Sequence, residues 1–108
     1  VLDYNSISKR AKYYSLYQYI AHMNKYIIEF LGTLFFIYVV LATGHPLAIG
    51  LALTAAIMIG GGTYNPVATI VMVAAGKLPM HNLIPHLVAQ VAGGLAALQL
   101  HKWALRQL

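Results

Sequence analysis

The stretch GGGTYNPVATI, residues 60–70, interrupts one of the most apolar parts of a 108-residue chain. Three glycines, a threonine and a tyrosine lead into Asn65-Pro66, and the sequence then turns apolar again at once. Asparagine is among the best helix N-caps, and proline suits the first helical position, where its missing N–H is no loss. Asn65-Pro66 therefore predicts a helix start, and the glycines ahead of it allow a sharp turn and close packing. The helix is short. Residues 66–76 rise only about 16 Å. Gly76 resembles a helix C-terminal glycine, with Lys77 and Pro79 just beyond.

The rest of the chain says what surrounds this helix. Hydrophobic residues make up 60% and charged residues 8%, against roughly 45–50% and about 25% in soluble domains. The acidic residues are only Asp3 and Glu29. A soluble surface cannot be built from this supply of charge, so an integral, multi-pass membrane protein is expected, in contact with a lipid bilayer. The formal net charge is +5, but the basic residues form no single stripe. Lys9, Arg10, Lys12 and Lys25 precede the first apolar block, Lys77 lies between blocks, and Lys102 and Arg106 follow the last. Membrane proteins place charge in this way, and a nucleic-acid partner is not expected. The absence of cysteine removes disulfides, thiolate catalysis and cysteine-type zinc sites. The chain begins with Val1, which implies a processed or incomplete N-terminus, and its first residues lack the layout of a secretory signal.

Three apolar segments are long enough to consider as spans: residues 26–44, 46–61 and 82–101. The first would rise about 28 Å, close to the hydrocarbon thickness. The second is short and merges into the glycines. The third carries Pro85 in its first turn, where proline is tolerated. The helix of residues 66–76 covers about half a bilayer, which predicts re-entry from one face. Residues 1–25 hold Tyr4, Tyr13, Tyr14, Tyr17 and Tyr19 beside Lys9, Arg10 and Lys12. Ile7, Ala11, Tyr14 and Ala21 fall roughly on one helical face. This segment reads as an amphipathic interfacial helix, or an arm that docks a partner or the membrane surface; a basic tail is the alternative. Two regions result: the arm, 1–25, and a membrane domain, 26–108.

Unwound backbone in hydrocarbon must be buried in protein or line a wet cavity. A helix starting at Asn65 near mid-membrane presents unpaired N–H groups and partial positive charge, which repel cations, while the Asn65 amide donates to a passing solute. That is the chemistry of a neutral-solute pore. An ordinary capped helix after a glycine-rich interhelical loop has the same spacing.

The stretch resembles the first signature loop of the aquaporin (major intrinsic protein) family, roughly Ser-Gly-Ala-His-x-Asn-Pro-Ala-Val-Thr. Asn65, Pro66 and Thr69 match; Val67-Ala68 reverses the usual Ala-Val, and Thr63 stands where the family has histidine. Glu29, Gly32 and Thr33 are similar to the family's first span, and Gln90 and Gly93 to its third. The resemblance covers about residues 26–101 in order. It implies an all-α half-unit: three transmembrane helices and one re-entrant half-helix, with Thr63, Tyr64, Asn65, Pro66 and Val67 at the pore. It also implies that Glu29 and Gln90 support the loop by hydrogen bonds and that Gly32 and Gly93 serve helix packing. A complete channel of this family has a second, inverted half, which has no counterpart here.

His22, His45, His81, His86 and His101 show no metal-ligand spacing. His86 and Gln90, one turn apart, read as facing a polar interior or as interhelical hydrogen-bonding groups. Gly32, Gly50, Gly93 and Gly94 suit close helix packing. No nucleophile–base pair, acid pair or phosphate loop is present, so neither an enzyme nor a cofactor is expected. Two functions remain. In the first, the chain joins another half-unit to form a water or small neutral-solute channel. In the second, it is a non-conducting structural or accessory subunit of a larger membrane complex.

Overall fold

Four α-helices carry the chain: α1 (Tyr4–Thr43), α2 (Pro46–Gly60), α3 (Pro66–Ala74) and α4 (Leu83–Arg106), with a single 3-10 turn at Met80–Asn82 ahead of α4. The computed structural model describes residues 4–108, without the side chains of residues 4, 13, 14 and 16–23; residues 1–3 lie outside the described residues. Among the described residues there is no strand.

No proline occurs before Pro46, and α1 accordingly runs 40 residues without a break, about 60 Å. The expected change near residue 25 is one of composition, and the backbone passes through it as helix. The stretch Asn24–Thr43 is long and apolar enough to cross a membrane. Below it, Lys9, Arg10 and Lys12 are exposed, as are Ile7 and Ala11. The other two residues of the apolar face expected there, Tyr14 and Ala21, lie outside the described side chains, with the tyrosines of the arm.

Gly44, at φ 58°, ends α1, and Pro46 opens α2 two residues later. α2 is apolar but only 15 residues long, about 22 Å. Gly61 closes it in the left-handed conformation, its N–H bonded to the Ile57 carbonyl at 2.8 Å. Gly76, at φ 75°, plays the same part after α3, where the Lys77 N–H reaches the Met72 carbonyl at 2.9 Å. The third apolar segment, expected at 82–101, continues to Arg106; with its 3-10 turn it forms the second stretch long and apolar enough to cross a membrane.

α1 packs on α4 and α2, and α3 packs on α4. Gly93 sits against the backbone carbonyl of Phe30, and Gly32 against the ring of Tyr64. Gly50 and Gly94, read from sequence as close-packing positions, instead face open space: a methyl group added at either would meet no atom within 4 Å. The interior is small and polar. Glu29, Thr33, Thr69, Asn82, His86 and Gln90 are buried, whereas Met58, Ile59, Val88 and Leu95 are exposed. A polar centre under an aliphatic exterior is the arrangement hydrocarbon surroundings require.

Candidate functional site

The polar centre is built on Glu29, which is 1% exposed. Backbone N–H groups of an irregular segment inside an apolar bundle have no water to bond, so they need an internal acceptor. Glu29 supplies it. Its Oε1 accepts from the Thr63 N–H at 2.7 Å and the Thr63 hydroxyl at 3.2 Å. Its Oε2 accepts from the Tyr64 N–H at 2.9 Å and from Gln90 Nε2 at 3.1 Å. Four donors thus surround one carboxylate, the condition under which a buried negative charge is tolerated.

Gln90 ties α4 to the same centre. Its Nε2 also approaches the Thr69 hydroxyl at 2.7 Å and the Thr63 hydroxyl at 3.0 Å. The two threonine hydroxyls are 2.7 Å apart, and that of Thr69 donates back to the Asn65 carbonyl at 2.9 Å. His86, one turn earlier on α4, completes the cluster. Its Nδ1 donates to the Asn82 carbonyl at 2.9 Å, and its Nε2 lies 3.5 Å from Glu29 Oε1. A doubly protonated ring would donate to both acceptors; a neutral one, with its proton on Nδ1, keeps only the first.

The loop turns at Tyr64, whose φ of 57° is rare for a residue with a side chain. Its ring occupies the space left by the missing side chains of Gly32, Gly60 and Gly62, and its hydroxyl donates to the Ala56 carbonyl at 2.6 Å. The next residue opens α3. Asn65 is extended, and its Oδ1 accepts from the Val67 N–H at 2.8 Å and the Ala68 N–H at 3.5 Å. With the oxygen turned to the helix, the exposed amide nitrogen is left as a donor.

Of the five residues expected at the half-helix, the structure separates two groups. Asn65, Pro66 and Val67 are exposed. Thr63 is half-buried within the Glu29 cluster, and Tyr64, at 2% exposure, is a packing residue. Glu29 and Gln90 come together with the loop although they lie 61 positions apart. Sequence reasoning missed Tyr64 as the wedge in the glycine hollow, and the link from His86 to Glu29. The signal for the first was present: three glycines from two segments leave a hole that only a large neighbour fills. Thr33 Oγ1 and Gln90 Oε1 are buried without a hydrogen-bond partner, and both residues line a groove of about 420 Å³ that begins at Asn65 and Pro66. Among the described residues no three His, Cys, Asp or Glu side chains come together to hold a metal.

Comparison with known proteins gives the family. The chain is 36% identical to glycerol uptake facilitator protein-like 6 of Lactiplantibacillus plantarum, over 69% of its own length and 41% of the relative's. It is 37% identical to an aquaporin Z of Brucella melitensis over the same shares, and 34% identical to an aquaporin Z of Rhodopseudomonas palustris over 68% and 39%. The chain belongs to the aquaporin family. None of the three names is that of an enzyme, and the aquaporin chain is an integral, multi-pass membrane protein. It spans about two fifths of the curated relatives it matches. No family model and no solved structure matches it.

Proposed function

We propose that this aquaporin-family chain is one half-unit of a channel for water or a small neutral solute, completed by another half. In this reading α1 (through residues 26–44), α2 and α4 cross the membrane, and α3 is a half-helix re-entering from the end that carries Lys25 and Lys77. Asn65 is the donor that meets the solute beside Pro66 and Val67, and the N-terminus of α3 sets the barrier to cations. Glu29 and Gln90 hold the loop that positions them.

One observation carries the proposal: an open groove lined by α1 and α4 lies at the N-terminus of α3, which is itself only half a span long. Residues 66–74 rise about 13 Å. Beyond Asn65 the groove continues past Thr33 to Leu41 on α1 and past Gln90 to Leu98 on α4, and it is open. That remaining length, about 12 Å along α1, matches a second half-length helix. The groove is lined chiefly by apolar side chains, Phe36, Ile37, Val91 and Leu95 among them, so its occupant should bring apolar surface. Charge favours a different chain as that occupant. Lys9, Arg10, Lys12, Lys25 and Lys77 belong to one end of this layout, Lys102 and Arg106 to the other, and this bias disfavours an inverted second copy.

A second reading, a non-conducting subunit of a larger membrane complex, is favoured by Val67. It is 68% exposed beside Asn65, and its bulk would narrow a passage there. Extraction in a mild detergent, followed by native mass and subunit content, tests the two. A complex with one partner of similar size, conferring solute permeability on vesicles that Asn65→Asp reduces, is the expected result. Recovery only within a large assembly of unrelated proteins, or vesicles no more permeable than lipid alone, would sink the channel reading and leave the structural one.

A further inference from the structure

A second cavity, of about 280 Å³, is lined in part by Gly60, Gly61 and Gly62. Its lining includes Lys25 from α1, Lys77 from the turn after α3, and Asn82 and His86 from the start of α4. Three other grooves are lined chiefly by aliphatic and aromatic side chains. We propose that this cavity binds a phosphate group carrying net negative charge, from an anionic phospholipid headgroup or from free phosphate.

Charge is the first reason. Glu29 reaches the cavity floor, but both its oxygens are already taken by the loop and by Gln90, with His86 beside it. It has little capacity left for a lysine. Lys25 and Lys77 have no acidic partner among the described residues; the ammonium of Lys25 rests 5.7 Å from the centre of the Tyr26 ring. Two cations on one concave surface repel each other and draw an anion, more strongly where low-dielectric walls focus the field.

Position is the second. Asn24 begins the apolar stretch of α1, so Lys25 stands at its edge, and Lys77 is exposed at the same end of the bundle. This is the level at which lipid phosphates lie, and lysines near an anionic surface contribute measurable attraction there. Size is the third. The cavity is at the lower limit of small-molecule pockets, about 300 Å³, which suits a phosphate group. Ile28, Met72 and Leu78 complete its wall, an apolar surround suited to the glycerol end of a headgroup.

The test titrates the purified chain in neutral detergent with phosphatidylglycerol, phosphatidylcholine or inorganic phosphate, reading thermal stability against ligand concentration. Saturable stabilisation by phosphatidylglycerol, weakened about thirtyfold in Lys25→Gln/Lys77→Gln and unchanged in Lys102→Gln/Arg106→Gln, is expected for a headgroup site. Equal stabilisation by inorganic phosphate with the same loss assigns the site to free phosphate. Raising the salt concentration on the unaltered protein should weaken binding by screening, which keeps the test valid if the double variant folds poorly. No saturable response to either anion, an equal response to phosphatidylcholine, or the same loss in both double variants would overturn the proposal.

Discussion

Changing Gly93 and Gly94 to alanine should move stability in opposite directions, although the two residues are neighbours on one helix and the chemical change is identical. In a helix interior, alanine is favoured over glycine by roughly 0.5–1 kcal/mol because it loses less backbone freedom. At Gly94 a new Cβ meets nothing within 4 Å, so the gain is realised in full. At Gly93 the Cβ would overlap the carbonyl oxygen of Phe30 and stand 3.2 Å from Thr33 Cβ and 3.3 Å from the Leu34 nitrogen. Two of these neighbours are backbone, so rotation of a side chain cannot relieve the clash. α1 and α4 must part by about 1 Å to restore an ordinary carbon–oxygen contact. Overpacking of this kind costs typically 1–3 kcal/mol. It also strains the 3.1 Å bond between Gln90 and Glu29, one turn away. Both substitutions carry the same helix gain, which cancels between them, so the two variants should differ by the overpacking cost, about 1–3 kcal/mol, measured as unfolding free energy of the isolated chain in mixed detergent micelles. Equal effects, or Gly93→Ala the more stable, would refute the close approach of α1 and α4 and the polar centre built on it.

Glu29→Gln should destabilise by roughly 2 kcal/mol, because at least one buried donor of the loop loses its acceptor; the same unfolding measurement checks it, and a change under about 0.5 kcal/mol would show that the carboxylate does not hold the loop. Tyr64→Phe keeps the ring in its glycine hollow and removes only the bond to the Ala56 carbonyl, at a cost of about 1 kcal/mol. Asn65→Ala should cost about 1 kcal/mol through the lost cap, while Asn65→Asp keeps an oxygen for the Val67 and Ala68 N–H groups and should leave stability nearly unchanged. A large loss in Asn65→Asp would mean that the amide nitrogen is bound internally and is not the exposed donor described above.

The parts of the fold legible in the sequence are those governed by local chemistry. Asn65-Pro66 specifies a helix start because cap and first turn involve residues two and three positions apart, and Gly76 ends that helix because its backbone adopts a conformation that side chains disfavour. The approach of Glu29 to the loop spans 34 positions, and no periodicity carries it; only likeness to the aquaporin signature pointed to it. Tyr64 was misleading for a physical reason. Beside Asn65 in sequence it reads as a companion on the same surface, yet the left-handed turn between them sends one inward and the other out. Gly94 misled in the same way, since a glycine that permits contact and one that meets open space look alike until the partner helix is in place.

The packing of α3 bears on how the chain is made. Its helical neighbour is α4, which leaves the ribosome after it, and Gln90 and His86, two of the groups that complete the Glu29 centre, also arrive with α4. Until those residues have been synthesised, α3 is a short apolar helix with no seat, too short to cross the bilayer alone. If α3 is the proposed half-helix, its insertion would be completed only once α4 is made. The aquaporin signature, although made before α4, would be among the last parts of this unit to reach its place.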